Sequence, residues 1–119
     1  MASLRYVILR HEGISEPHFD LMFEESDGGT LMTWRSERWP IDRPTALAKL
    51  RNHRRDYLEY EGPLSGHRGW VRCVESGTYR SRPQWDDPCV HDLWLNEPTT
   101  HHLWLLMPPD HDWTIEPAE

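Results

Sequence analysis

Residues 18–24 read His18-Phe19-Asp20-Leu21-Met22-Phe23-Glu24, and this stretch decides the fold class. Successive side chains of an extended chain point to opposite faces. Phe19, Leu21 and Phe23 therefore share one face, and His18, Asp20, Met22 and Glu24 share the other. The period of two predicts a strand with one apolar face and one face that carries chemistry. Ser26-Asp27-Gly28-Gly29 is a strong turn signal and Thr30–Arg35 a returning strand, so residues 18–35 read as a hairpin. Upstream, Arg5–Arg10 is apolar and β-branched, a buried strand ended by His11-Glu12-Gly13.

Downstream, Thr45–Asp56 predicts the one helix of the chain, with Thr45 after Pro44 as its start and Ala46, Leu47 and Leu50 as its apolar stripe. A strand is expected to begin at Tyr57–Tyr60, before the turn-rich stretch 62–66. Trp70–Val74, Gly77–Arg80, Val90–Leu95 and His102–Met107 are short strand-like runs bounded by Pro, Gly, Asp or Asn. Residues 1–108 thus predict a mainly β domain, a small closed or nearly closed β-barrel of about seven to eight short strands with one short helix. Residues 109–119 read as an acidic, loosely attached C-terminal tail.

A chain of 119 residues supports one modest core. Its seven Trp residues supply apolar area that a 37% hydrophobic content otherwise lacks. Thirteen basic against 20 acidic residues leave a net charge of −7, which argues against gripping a long duplex through many phosphates. A single phosphate held by a local basic cluster is compatible with that charge. Arg35, Arg38, Arg43, Arg51, Arg54 and Arg55 do crowd into the middle third. Cys73 and Cys89 form no disulfide framework and read as reduced, small packing residues. No apolar run approaches the roughly 18 residues of a membrane span. The apolar stretch near the start is too short for a signal peptide. A soluble, cytoplasmic protein with no membrane partner is expected.

His18-Phe19-Asp20 is the centre of the chemical reading. In a strand, the H-x-D spacing puts an imidazole and a carboxylate on one face, close enough to share a metal ion. That donor pair suits Mn, Fe or Zn better than Mg or Ca. His11, just past the preceding strand, supplies a third ligand if the 12–17 loop folds back. Three protein ligands leave positions open for water and substrate. His53 and Tyr57, four apart, share a face if the expected helix extends that far, with Arg54 and Arg55 beside them, a cluster suited to a phosphoryl oxygen. His67 and Arg68 lie in a Gly-rich turn whose N–H groups can meet an anion. His91, His101 and His102 read as strand-border residues. Asp110-His111-Asp112 has ligand chemistry but lies in the tail. Of the tryptophans at 34, 39, 70, 85, 94, 104 and 113, most are assigned to the core.

Two stretches resemble a known family. Tyr6-Val7-Ile8-Leu9-Arg10-His11 followed by His18–Glu24, and then His53-Arg54-Arg55-Asp56-Tyr57-Leu58-Glu59-Tyr60-Glu61-Gly62, are similar to the 3′-phosphoesterase domain of bacterial multifunctional end-joining DNA ligases. Trp34 and Gly77-Thr78-Tyr79 match later positions, and the order holds from about residue 5 to residue 80. The resemblance implies a compact barrel enzyme that uses a divalent metal, typically manganese, to remove a 3′-ribonucleoside or 3′-phosphate and leave a 3′-OH. It implies His11, His18 and Asp20 as metal ligands and His53 as the group on the scissile phosphate, with Tyr57 nearby. Glu24 would lie at the site margin, and Arg38 would stand for a family lysine.

The chain also departs from the family. Met22 occupies the place of the family's phosphate-binding Arg, so Arg35, Arg38 or Arg68 would have to supply that donor. The loop between His11 and His18 carries Glu12, Glu16 and Pro17 in place of a basic pair. The expected function is a metal-dependent phosphoesterase on nucleic-acid 3′ ends in DNA repair, with a ligase or polymerase as partner in trans. One alternative is a catalytically degenerate barrel serving as a nucleic-acid or protein binding module. Another is a non-haem iron oxygenase using His18, Asp20 and a distant His.

Overall fold

The computed structural model describes residues 3–96, 100–109 and 112–119. Among the described residues, nine strands form one antiparallel sheet: β1 (Leu4–Glu12), β2 (His18–Glu24), β3 (Leu31–Ser36), β4 (Thr45–His53), β5 (Gly62–Pro63), β6 (Trp70–Pro83), β7 (Val90–Leu95), β8 (His101–Leu106) and β9 (Thr114–Pro117). Eight of them close into a barrel in the order β1-β2-β3-β4-β9-β8-β7-β6, with β6 pairing back onto β1. Closure removes the exposed sheet edges. The short β5 lies outside the ring against the start of β6. No helix of the described residues is long and apolar enough to cross a membrane.

Alternation sorts the side chains into two clusters. Tyr6 and Ile8 of β1, Leu21 and Phe23 of β2, Trp34, Leu47, Tyr79, Leu95, Leu105 and Ile115 fill the interior. Val7, Leu9 and Met22 point outward with Leu31 and Val71, yet are also buried, because Tyr57, Leu58 and Leu64 lie over them. The segment between β4 and β6 therefore leaves the ring and caps the outer face of β1 and β2. Burial on both faces explains why β1 reads as a continuous apolar run rather than an alternating one.

The expected helix over Thr45–Asp56 is not present. Residues 45–53 are the strand β4, with Thr45 and Leu47 buried and Ala46 and Ala48 exposed, a period of two. Helix-forming residues yield here because β4 must satisfy two neighbours, β3 and β9. A lone helix of that length is marginal in water. Only a 3-10 turn, Arg55–Leu58, follows, so the strand expected from Tyr57 is absent as well. The runs 70–74 and 77–80 belong to one 14-residue strand, bulged where Val74 has no partner opposite Ile8 and Leu9. The acidic end is not a loose tail: β9 closes the ring between β4 and β8, Ile115 is 1% exposed, and Trp113 meets Trp34 with ring centroids 5.2 Å apart. Asp110 and His111 lie outside the described residues.

Glu24, read as a site-margin residue, holds the fold instead. Its buried carboxylate accepts hydrogen bonds from Arg5 N at 2.7 Å, from the Arg55 guanidinium and from Gly28 N at 3.4 Å, tying β1, the β2–β3 turn and the 3-10 turn together. Burial pushes this carboxyl up, but the Arg5, Arg55 and Gly28 bonds outweigh it and hold it below the ordinary range. A depressed carboxyl stabilises the fold fully above its unfolded pKa of about 4.3, and that share disappears as pH falls through the lower folded value. Urea unfolding followed from neutral pH downward should show this loss below about pH 4 in the unaltered protein. Glu24→Gln should start less stable and lose less on acidification. An equally steep acid loss in Glu24→Gln would assign the effect to another group.

Candidate metal centre

The sheet register brings the three H-x-D-centred residues together. His11 near the end of β1 pairs directly with His18 at the start of β2, and Leu9 pairs with Asp20. His11, His18 and Asp20 all point to the outer face. The imidazole centroids are 4.9 Å apart at 72°. Asp20 Oδ1 lies 3.2 Å from His18 Nε2, and Asp20 Oδ2 lies 3.7 Å from His11 Nδ1. One nitrogen or oxygen from each residue fits within 4.8 Å of the other two; among the described residues this is the one such His, Cys, Asp or Glu group.

Backbone carbonyls assign the tautomers. His11 Nε2 is 2.7 Å from Arg68 O and His18 Nδ1 is 2.9 Å from Glu16 O. A carbonyl only accepts, so those nitrogens carry hydrogen, and in the neutral tautomer His11 Nδ1 and His18 Nε2 present lone pairs toward Asp20. His18 and Asp20 are each 5% exposed, and among the described residues His18 Nε2 and Asp20 Oδ1 are buried with no hydrogen-bond partner. Two buried lone pairs facing each other at 3.2 Å cost free energy unless an electrophile lies between them. Imidazoles fixed through their second nitrogen, beside a carboxylate, match the way proteins orient metal ligands. The three residues can hold a divalent cation.

The group opens into a cavity of about 750 Å³. Of the other residues singled out in the sequence, Arg35, His53, Tyr57 and Arg68 line it, as do Met22 and His67. Arg35 sits directly opposite Asp20 in the β2–β3 register, and among the described residues its guanidinium has no bonded partner. The Arg68 guanidinium is turned back onto Ser65, at 2.7 Å from its carbonyl and 3.1 Å from its hydroxyl. His53 and Tyr57 do meet, with ring centroids 5.7 Å apart, because the 3-10 turn folds back on the end of β4 rather than through helical spacing. Arg54 lines an adjoining cavity.

Two expected site residues are elsewhere. Glu24 is committed to Arg5, Arg55 and Gly28, as above. Arg38 donates to Thr45 Oγ1 at 3.1 Å and lies near Glu37 and Asp42, outside the cavity wall. Met22, at 1% exposure, belongs to the outer apolar cluster, so the site has an apolar wall where the resembled family has a cation. Sequence reasoning missed Ile14, Ser15, Leu50, Leu64 and Val71 as wall residues. Leu50 was hidden by the helix reading, and the others reach the site through loop and strand placement that no local period encodes. His101 bonds Glu75 and His102 bonds Asp92, away from this group. No protein-family model and no curated protein matches the chain.

Proposed function

We propose that the protein is a metal-dependent phosphoesterase acting on nucleic-acid 3′ ends, removing a 3′-phosphate or 3′-ribonucleoside to leave a 3′-OH, with repair of broken ends as its setting. The observation that carries the reading is the orphaned pair His18 Nε2 and Asp20 Oδ1, with His11 completing three convergent donors at an open cavity. Two imidazoles and a carboxylate suit manganese, with zinc or iron as other occupants. A divalent ion there would polarise a phosphoryl oxygen and activate water. Arg35 neutralises charge on the phosphoryl oxygens from beside Asp20, and His53, held through Nδ1 by the Arg51 carbonyl, offers Nε2 from the cavity wall. Met22, Leu50 and Val71 add apolar wall to the cavity, which strengthens the charged contacts.

The testing experiment is trimming of a labelled primer–template bearing a 3′-phosphate or a single 3′-ribonucleotide, with and without manganese. Metal-dependent formation of a 3′-OH supports the proposal. No conversion despite bound manganese would turn it toward the second reading, a barrel that binds but does not cleave. The burial of Met22 where the resembled family has Arg favours that second reading. Arg35→Ala should lower the trimming rate by about 100-fold if Arg35 supplies the missing donor. Unchanged turnover in that variant would exclude Arg35 from the reaction.

A further inference from the structure

The metal cavity continues past Tyr57. An adjoining cavity of about 370 Å³ shares Tyr57, Leu64 and Arg68 with it and runs past Arg54 to Tyr60. The rings form an unbroken track. His53 and Tyr57 lie 5.7 Å apart at 67°, and Tyr57 and Tyr60 lie 6.2 Å apart at 89°. Tyr60 is 38% exposed, and its hydroxyl donates to Pro63 O, which fixes the ring at the outer end of the track. Arg54 is exposed, and among the described residues its guanidinium has no bonded partner. Asp56 is the one carboxylate on this wall.

The opposite arm differs in chemistry. It shares Glu16, His18 and Arg35 with the metal cavity and crosses Ala46 and Ala48 past Glu37. That arm has two carboxylates, small side chains and no Tyr or Trp. A polyanion reaching the metal centre is repelled on the acidic side and by the net charge of −7. Along the aromatic side it finds ring faces and edges for its bases and Arg54 for a phosphate.

We propose that the His53–Tyr57–Tyr60 arm binds the unpaired nucleotides next to the reacting phosphate, so that the preferred substrate is a single-stranded end rather than a fully paired one. This rests on the nucleic-acid reading of the metal cavity. Bases already stacked and paired in a duplex cannot offer their faces to such a track, whereas a splayed single strand can.

The test is fluorescence anisotropy of a 5′-labelled oligothymidylate with a 3′-phosphate, alone and annealed to its complement, in EDTA so that nothing is trimmed. The unaltered protein should bind the single strand more tightly than the duplex. Tyr60→Ala should weaken single-strand binding about tenfold, while Tyr60→Phe, which keeps the ring but not its bond to Pro63, should lose clearly less than Tyr60→Ala. Arg54→Ala should reduce the slope of log affinity against log salt by about 0.7, the share of one phosphate contact on a single strand. Tighter duplex binding, or unchanged affinity in Tyr60→Ala, would overturn the proposal. If Tyr60→Ala fails to fold, an unchanged salt slope in Arg54→Ala overturns it independently. Manganese-dependent release of inorganic phosphate from glycerol phosphate, which has no ring to stack, reads the phosphoesterase function separately. Turnover without single-strand binding sinks only the aromatic arm. Single-strand binding without turnover supports the arm and removes the phosphoesterase.

Discussion

Asp20→Ala abolishes manganese binding and 3′ trimming together, as the expected result of removing the only anion in the group. The two imidazoles that remain bring no negative charge to the cation, and each keeps one ring nitrogen on a carbonyl, His11 on Arg68 and His18 on Glu16. Losing a mere outer-shell partner of a metal ligand costs about 10–100-fold in affinity, so losing the carboxylate itself should exceed that. Calorimetric titration with manganese, beside the trimming assay, measures both. Undiminished trimming in Asp20→Ala would remove the His11, His18 and Asp20 group from the mechanism. Asp20→Asn isolates the physical argument. The amide keeps the volume and turns an N–H toward the His18 Nε2 lone pair that Asp20 Oδ1 now faces at 3.2 Å. The metal-free protein should therefore gain about 1 kcal/mol in urea unfolding while its metal affinity falls. A loss of stability would mean that the pair shares a proton as an ion pair, and the orphaned lone pairs would no longer argue for a cation.

That centre was legible in the sequence because it is local. H-x-D is two residues on one strand, and His11, expected to join them if the 12–17 loop folds back, is brought there by the β1–β2 register. The barrel class was legible for the same reason, through Phe19, Leu21 and Phe23 against His18, Asp20 and Met22. What failed was everything set by ring closure. Thr45–Asp56 has helical composition, but its backbone is claimed by β3 on one side and β9 on the other. Thr114–Pro117 has one strongly apolar residue, Ile115, and becomes a strand only because a gap between β4 and β8 demands one. Glu24 alternates with His18 and Asp20 and so looked like a site residue. The 3-10 turn that places Arg55 over it is non-local, 31 residues away in sequence. Local period finds faces; it does not find what covers them.

Gly69→Ala should be the most damaging single-methyl change near the site. Gly69 has φ +78°, a left-handed conformation that costs an L side chain roughly 1–2 kcal/mol. The added Cβ would also stand 2.1 Å from Glu12 O and 3.1 Å from Ile14 Cγ2. Glu12 O is backbone at the end of β1, so the clash is relieved only by pushing the β5–β6 turn off the strand. The total should be about 3 kcal/mol. The same displacement carries away the neighbouring Arg68 carbonyl, which fixes the His11 ring. Metal affinity should then drop by about 10–100-fold even in the fraction that folds. Gly66→Ala is the control. Its φ is +72°, but the nearest atom to the added Cβ is the flexible Arg68 Nε at 4.0 Å. It should cost only the conformational term, about 1 kcal/mol, and leave manganese affinity intact. If the two alanines destabilise equally, and both leave manganese affinity unchanged, then the contact between this turn and the end of β1 does not orient His11, and the ring is held by its packing against His18 instead.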